Sequence, residues 1–124
     1  MASLLDMVKN RLPDEAALFA ASLGATIEEA QADAGLEGTP EGALSTRQKS
    51  LIADLAARAL IMPAMSKYKK AAEEAEGDDA GKVKFANKLK FLQEMKKDLE
   101  TSIGERRAGL AAAADTGVPM MLVE

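Results

Sequence analysis

The chain has 124 residues, 48% of them apolar but only 3% aromatic, a net charge of −4, and neither histidine nor cysteine. Without those two residue types it forms no disulfide, no thiolate or imidazole metal site and no nucleophile–imidazole pair, which removes most enzyme classes. A single domain with a modest core of Leu, Ile, Met and Ala is expected at this length, and an Ala-rich composition poor in β-branched residues favours helices over strands.

Charge is divided along the chain. Residues 1–45 carry two basic and eight acidic side chains, whereas residues 46–124 carry fourteen basic and twelve acidic. Between 82 and 97 the lysines Lys82, Lys84, Lys88, Lys90, Lys96 and Lys97 face the single acid Glu94. Such a division suits a solvated face, head-to-tail association of identical subunits, or a path for nucleic acid.

Ser3 with Asp6 three residues later reads as a helix start, and Leu4, Leu5, Val8 and Leu12 fall on one helical face. Pro13 stops that helix, and Pro13-Asp14-Glu15 opens a second one carrying Ala17, Leu18 and Ala21. Gly24 marks an end or a kink, and Thr26-Ile27-Glu28-Glu29 reads as a capping box for a helix to about Ala34. The three glycines and one proline in residues 35–42 predict a loop.

Ser45 or Thr46 caps the next helix, in which Leu51, Ile52, Leu55, Ala59 and Met62 make a core stripe. Pro63 ends or kinks it, and a kink is favoured because Ala64 to Glu76 remains helix-forming. Residues 77–81 predict a tight connection to a last long helix from about Lys82 to Ile103. Its face Phe85, Leu89, Leu92, Met95 or Lys96, Leu99 and Ile103 packs antiparallel on the preceding helix. Gly104 caps that helix, or residues 105–114 continue it or form another. The fold class expected is all-α, a small helical bundle built on a long antiparallel hairpin. It comprises a helical domain over 1–116 and an extended apolar C-terminal tail over 117–124.

That tail, with Val118, Pro119, Met120, Met121, Leu122 and Val123, is the most suggestive segment, because chain ends are ordinarily polar and frayed. It either folds back on its own core, stays disordered, or docks on a partner. Burying Val118, Met120 and Leu122 is worth about 5–9 kcal/mol. Ordering eight residues costs on the order of 8–16 kcal/mol. Docking therefore needs backbone pairing, burial of both faces, or many linked copies.

The remaining signals have structural explanations. Asp78-Asp79 lacks the ligand spacing of a calcium loop, and Glu28-Glu29 and Asp14-Glu15 are adjacent pairs that diverge on a helix and suit capping. The 35–42 glycines neither follow a strand nor precede a Lys-Ser/Thr pair. The lysine-rich helix has few aromatics for stacking and sits in an acidic chain, so it is a weak nucleic-acid signal. The seven methionines are core filler that also suits adaptable interfaces. No catalytic, cofactor or metal residue is expected, and no membrane span.

The opening Ser3 to Leu12, the acidic second segment, the long hairpin containing Gln48-Lys49-Ser50-Leu51-Ile52-Ala53-Asp54-Leu55-Ala56-Ala57-Arg58-Ala59-Leu60, and the protruding C-terminal segment together resemble the head-to-tail connector, or adaptor, proteins of tailed bacteriophages. The resemblance implies a non-catalytic virion subunit in the neck, made in the host cytoplasm. It would form a homo-oligomeric ring, typically of twelve copies, between the portal protein and a downstream tail or neck protein. The tail, residues 118–123, would dock on the portal. The six lysines would face neighbouring subunits or contact passing DNA non-specifically. The alternative is a small helical regulatory or nucleic-acid-binding protein, motivated by the same lysines.

Overall fold

The structure, a computed structural model, describes residues 3–74, 77 and 79–122, apart from the side chains of 79 and 112–122. Among the described residues it is all-α: α1 is Leu4–Arg11, α2 Pro13–Leu18, α3 Leu23–Asp33, α4 Thr46–Glu74 and α5 Asp79–Leu122, with single 3-10 turns at Ala20–Ser22 and Glu41–Ala43.

The helix starts follow from capping chemistry. The Ser3 hydroxyl accepts the Asp6 N–H at 3.1 Å, and the Glu41 carboxylate, returning from a distant loop, accepts the Leu4 N–H at 3.2 Å. Two otherwise unpaired donors of α1 are thereby satisfied. Pro13 stands at the first position of α2, where its missing N–H costs nothing. Ser45 and Gln48 form a reciprocal box at the start of α4, at 2.8 and 3.1 Å.

The end of α3 is closed by a Schellman motif: Gly35, at φ 79°, donates to the Ala32 carbonyl at 2.9 Å and Leu36 donates to Gln31 at 3.0 Å. The Gln31 side-chain amide then donates to the carbonyls of Leu36 and Thr39, at 2.9 and 2.6 Å, which pins the following loop.

Three expectations in the first half are corrected. Leu5 is 40% exposed, because one residue past Leu4 is a 100° turn away from the face that buries Leu4 and Val8. Ala21 lies outside α2, which ends at Leu18, and belongs to the 3-10 turn that follows; within α2 the buried residues are Glu15 and Ala16, while Ala17 and Leu18 are exposed. Helix α3 begins at Leu23, before Gly24, and the Thr26 hydroxyl donates back to the Ser22 carbonyl at 3.1 Å rather than capping a helix.

Helices α4 and α5 form the expected hairpin. Tyr68 stacks on Phe85 at 6.2 Å near the connection, while Asp54 meets Ser102 and Arg106 toward the other end, so the helices run antiparallel. Leu92, Leu99 and Ile103 are buried, with Leu89, Met95 and Lys96 half-buried beside them. Helix α4 continues through Pro63 to Glu74. Its core stripe differs from the one expected: Ala59 and Met62 are exposed, Met62 by 61%, while Ala53, Ala56, Ala57, Leu60, Ile61 and Ala64 are buried. Leu51, Ile52 and Leu55 are also buried, so the first half of α4, against which α1 and α3 pack, is covered nearly all round.

The connection is shorter than the five residues expected, because α5 already begins at Asp79; residues 75, 76 and 78 lie outside the described residues. Gly104 does not cap α5, which runs on through it. Residues 117–122, expected to be extended, are the last helical residues of α5. Once a helix runs through Ala111–Ala114, extension needs no new nucleation and alanine propagates best, although Pro119 has no N–H to donate and adds no bond of its own. The side chains of Val118, Pro119, Met120, Met121 and Leu122, and all of Val123, lie outside the described residues.

Candidate functional site

The six lysines do not form one strip. Lys84 and Lys88 line an open cleft of about 430 Å³ with Pro13, Asp14 and Glu15 of α2, whereas Lys82 lies beside Lys69 and Glu73 of α4. Lys96 is half-buried near the core face, and only Lys90 and Lys97, seven residues apart, share the outer face of α5. Lys88 is committed within its own chain, 2.5 Å from the Asp14 carboxylate and 3.5 Å from that of Glu15. The Asp14 bond holds the Lys88 ammonium above its ordinary value, against the opposing effect of burial.

That lysine belongs to a polar cluster which joins α2 to the hairpin. Glu15 is 1% exposed, and the Tyr68 hydroxyl donates to its Oε2 at 2.8 Å. Burial, and then the bond to the Glu15 carboxylate, push the Tyr68 phenol up to about 12. The Lys88 ammonium stands 5.7 Å over the Tyr68 ring, close enough for a cation–π attraction.

A second cluster joins α1 to the hairpin and is buried more deeply. Asp54 sits in the apolar run of α4 at 2% exposure and accepts three hydrogen bonds: Arg11 Nε at 2.6 Å, Arg106 Nε at 2.6 Å and Ser102 Oγ at 2.7 Å. Arg11 also donates to the Met7 carbonyl at 3.1 Å, which fixes its guanidinium on α1. Burial by itself pushes the Asp54 carboxyl up, but the bonds from Ser102, Arg11 and Arg106 outweigh it and hold the group below its ordinary value. Every buried side-chain polar atom among the described residues has a partner.

Arg106 carries this cluster to the surface. It is 38% exposed and borders an open cleft of about 370 Å³, between the start of α4 and the C-terminal half of α5, that Arg47, Ser102, Glu105 and Gly109 also line.

Neither cluster was anticipated from the sequence, although signals for the second were present. Asp54 is the one charge in the run Leu51 to Ala57, Arg11 lies seven residues after Leu4 on its stripe, and Ser102 and Arg106 are spaced by four beside Ile103.

Among the described residues no group of three or more acidic side chains is placed to hold a metal ion, and no helix is long and apolar enough to cross a membrane. Comparison of the chain with protein-family models, with curated proteins and with solved structures gives no match.

Proposed function

We propose that the chain is a structural subunit of a tailed-bacteriophage neck, a head-to-tail connector that assembles as a ring, typically of twelve copies, between the portal and a downstream tail or neck protein, around the DNA passage. It would be made in the host cytoplasm and end in the virion. The observation that carries this reading is the mismatch within the hairpin. Helix α5 has 44 residues against 29 in α4. The excess of 15 residues (44 − 29), at 1.5 Å each, is about 22 Å of helix. The sequence of α5 ends in the apolar run from Val118 to Leu122.

An end whose sequence is Val118, Pro119, Met120, Met121, Leu122 and Val123 suits a docking anchor, and repetition around a ring multiplies a weak single contact. Two clusters that tie α1 and α2 to the hairpin make the body a rigid unit, as a ring subunit requires. The net charge of −4 and the dispersal of the six lysines give less support to the alternative of a nucleic-acid-binding regulator, which would use a continuous basic face.

Deleting residues 117–124 tests the reading. The shortened chain is expected to keep its helical circular dichroism and urea midpoint but to lose association with the portal ring of its own phage, scored by native mass spectrometry. A deletion that lowers the stability of the isolated chain, or a full chain that stays monomeric with the portal present, would refute it. Salt-sensitive duplex binding by the monomer would favour the regulator instead.

A further inference from the structure

We propose that the cleft between the start of α4 and the C-terminal half of α5 binds a phosphate group through the guanidinium groups of Arg47 and Arg106. The inference stands apart from the connector reading and rests on how Arg106 is held. Its Nε is bonded to Asp54 at 2.6 Å, while its Nη donors make no hydrogen bond among the described residues. One edge of the planar guanidinium is thus fixed against a buried carboxylate, and donors remain on a side chain 38% exposed at the cleft.

Arg47, the second residue of α4, is exposed and takes part in no ion pair among the described residues. The first turn of α4 carries no acid to neutralise it. Glu105 is the single acid of the lining and pairs with neither arginine. Among the lining residues two arginines, Arg47 and Arg106, stand against the one acid Glu105.

A buried ion cluster is a poor device for stability alone, because apolar residues of similar volume hold helices together as well or better. What this cluster achieves is orientation: Arg106 meets a ligand without first losing its rotamer freedom, and two guanidinium forks match the oxygens of a phosphate. Gly109 keeps the wall low, with nothing within 4 Å of the position a Cβ would take.

Inorganic phosphate titrated at low ionic strength, followed by amide NMR with chloride at matched ionic strength as control, tests the site. Saturable shifts are expected at Arg47, Ser102, Arg106 and Gly109 and not along 84–91. Arg47→Ala removes no side-chain hydrogen bond or ion pair among the described residues, and Gly109→Asp adds an acid where space is open. Each is expected to weaken binding about tenfold, the loss of one charge-assisted contact, with an unchanged urea midpoint. Glu105→Gln is expected to strengthen it.

A short duplex DNA supplies the second arm. If it shifts the same amides and competes with phosphate, the ligand is a nucleic-acid backbone; if only free phosphate binds, the ligand is a small phosphorylated molecule. Absence of saturation, equal shifts with chloride, or binding undiminished by Arg47→Ala would overturn the proposal.

Discussion

The Asp54 and Glu15 clusters do the same architectural job with opposite chemistry. Each uses the carboxylate of a residue that is 2% or less exposed to join an N-terminal helix to both arms of the hairpin. Asp54 is met by two guanidinium groups and a hydroxyl at 2.6–2.7 Å, so its charge is compensated where it is buried. Glu15 is met by a neutral phenol at 2.8 Å and by an ammonium at 3.5 Å that makes its shorter contact with exposed Asp14. A buried carboxylate can thus be kept by charge compensation or by one strong neutral donor, and the two solutions fail differently.

The sharpest way to separate them is to remove the guanidinium groups. The double variant Arg11→Met with Arg106→Met leaves the Asp54 carboxylate buried with only Ser102, and is expected to cost about 3–5 kcal/mol in urea unfolding at neutral pH. Adding Asp54→Leu should restore most of that loss, because the charge in need of compensation is gone. A triple variant as unstable as the double would show that the arginine stems, not the charges, do the holding.

The pH dependence follows from the direction of the shift. A carboxyl held below its ordinary value contributes stability that is present above pH 3.8 and is lost as the pH falls through its lower folded value. The parent loses this contribution on acidification and the double variant does not, so the gap between their urea midpoints should narrow below pH 3.8.

The Glu15 cluster should break with a smaller effect and at the other end of the pH scale. Tyr68→Phe removes the hydroxyl that satisfies Glu15 and is expected to cost about 1–3 kcal/mol. Because the folded phenol is raised to about 12 from 10.0, its contribution is complete below pH 10.0 and is lost as the pH rises toward 12. Tyr68 is the chain's single tyrosine, so its ionisation can be read directly by ultraviolet absorbance: near 12 in the folded protein and near 10.0 in urea. Coincident midpoints would show that the bond to Glu15 does not persist in solution.

How much of this was legible in the sequence divides along physical lines. Capping and packing signals are local, so Ser3, Pro13 and the α5 face through Leu92, Leu99 and Ile103 could be placed from spacing alone. The face of α4 could not. Leu51, Ile52 and Leu55 lie on one side and Ala53, Ala57 and Leu60 on another, and both are apolar. Cover from α1 and α3 buries both sides early in the helix, and beyond them Met62 faces solvent while Ile61 does not. The polar clusters were invisible for a related reason. Asp54 meets its partners across 43, 48 and 52 residues, and Tyr68 meets Glu15 across 53. A lone Asp within an apolar run indicates that partners must exist without saying which.

The smallest expected effect makes the most economical check on the comparison. The Asp14 carboxylate is 69% exposed although it lies 2.5 Å from Lys88, so water and salt compete for both charges and the pair contributes little. In Asp14→Asn, Lys88 keeps its position beside Glu15 and over the Tyr68 ring. The urea midpoint should therefore stay within error of the parent and be equally insensitive to added salt. If Asp14→Asn instead destabilises the chain as much as Tyr68→Phe does, Lys88 is held in place chiefly from outside. Glu15 would then depend on charge compensation just as Asp54 does, and the distinction between the two clusters would reduce to burial alone.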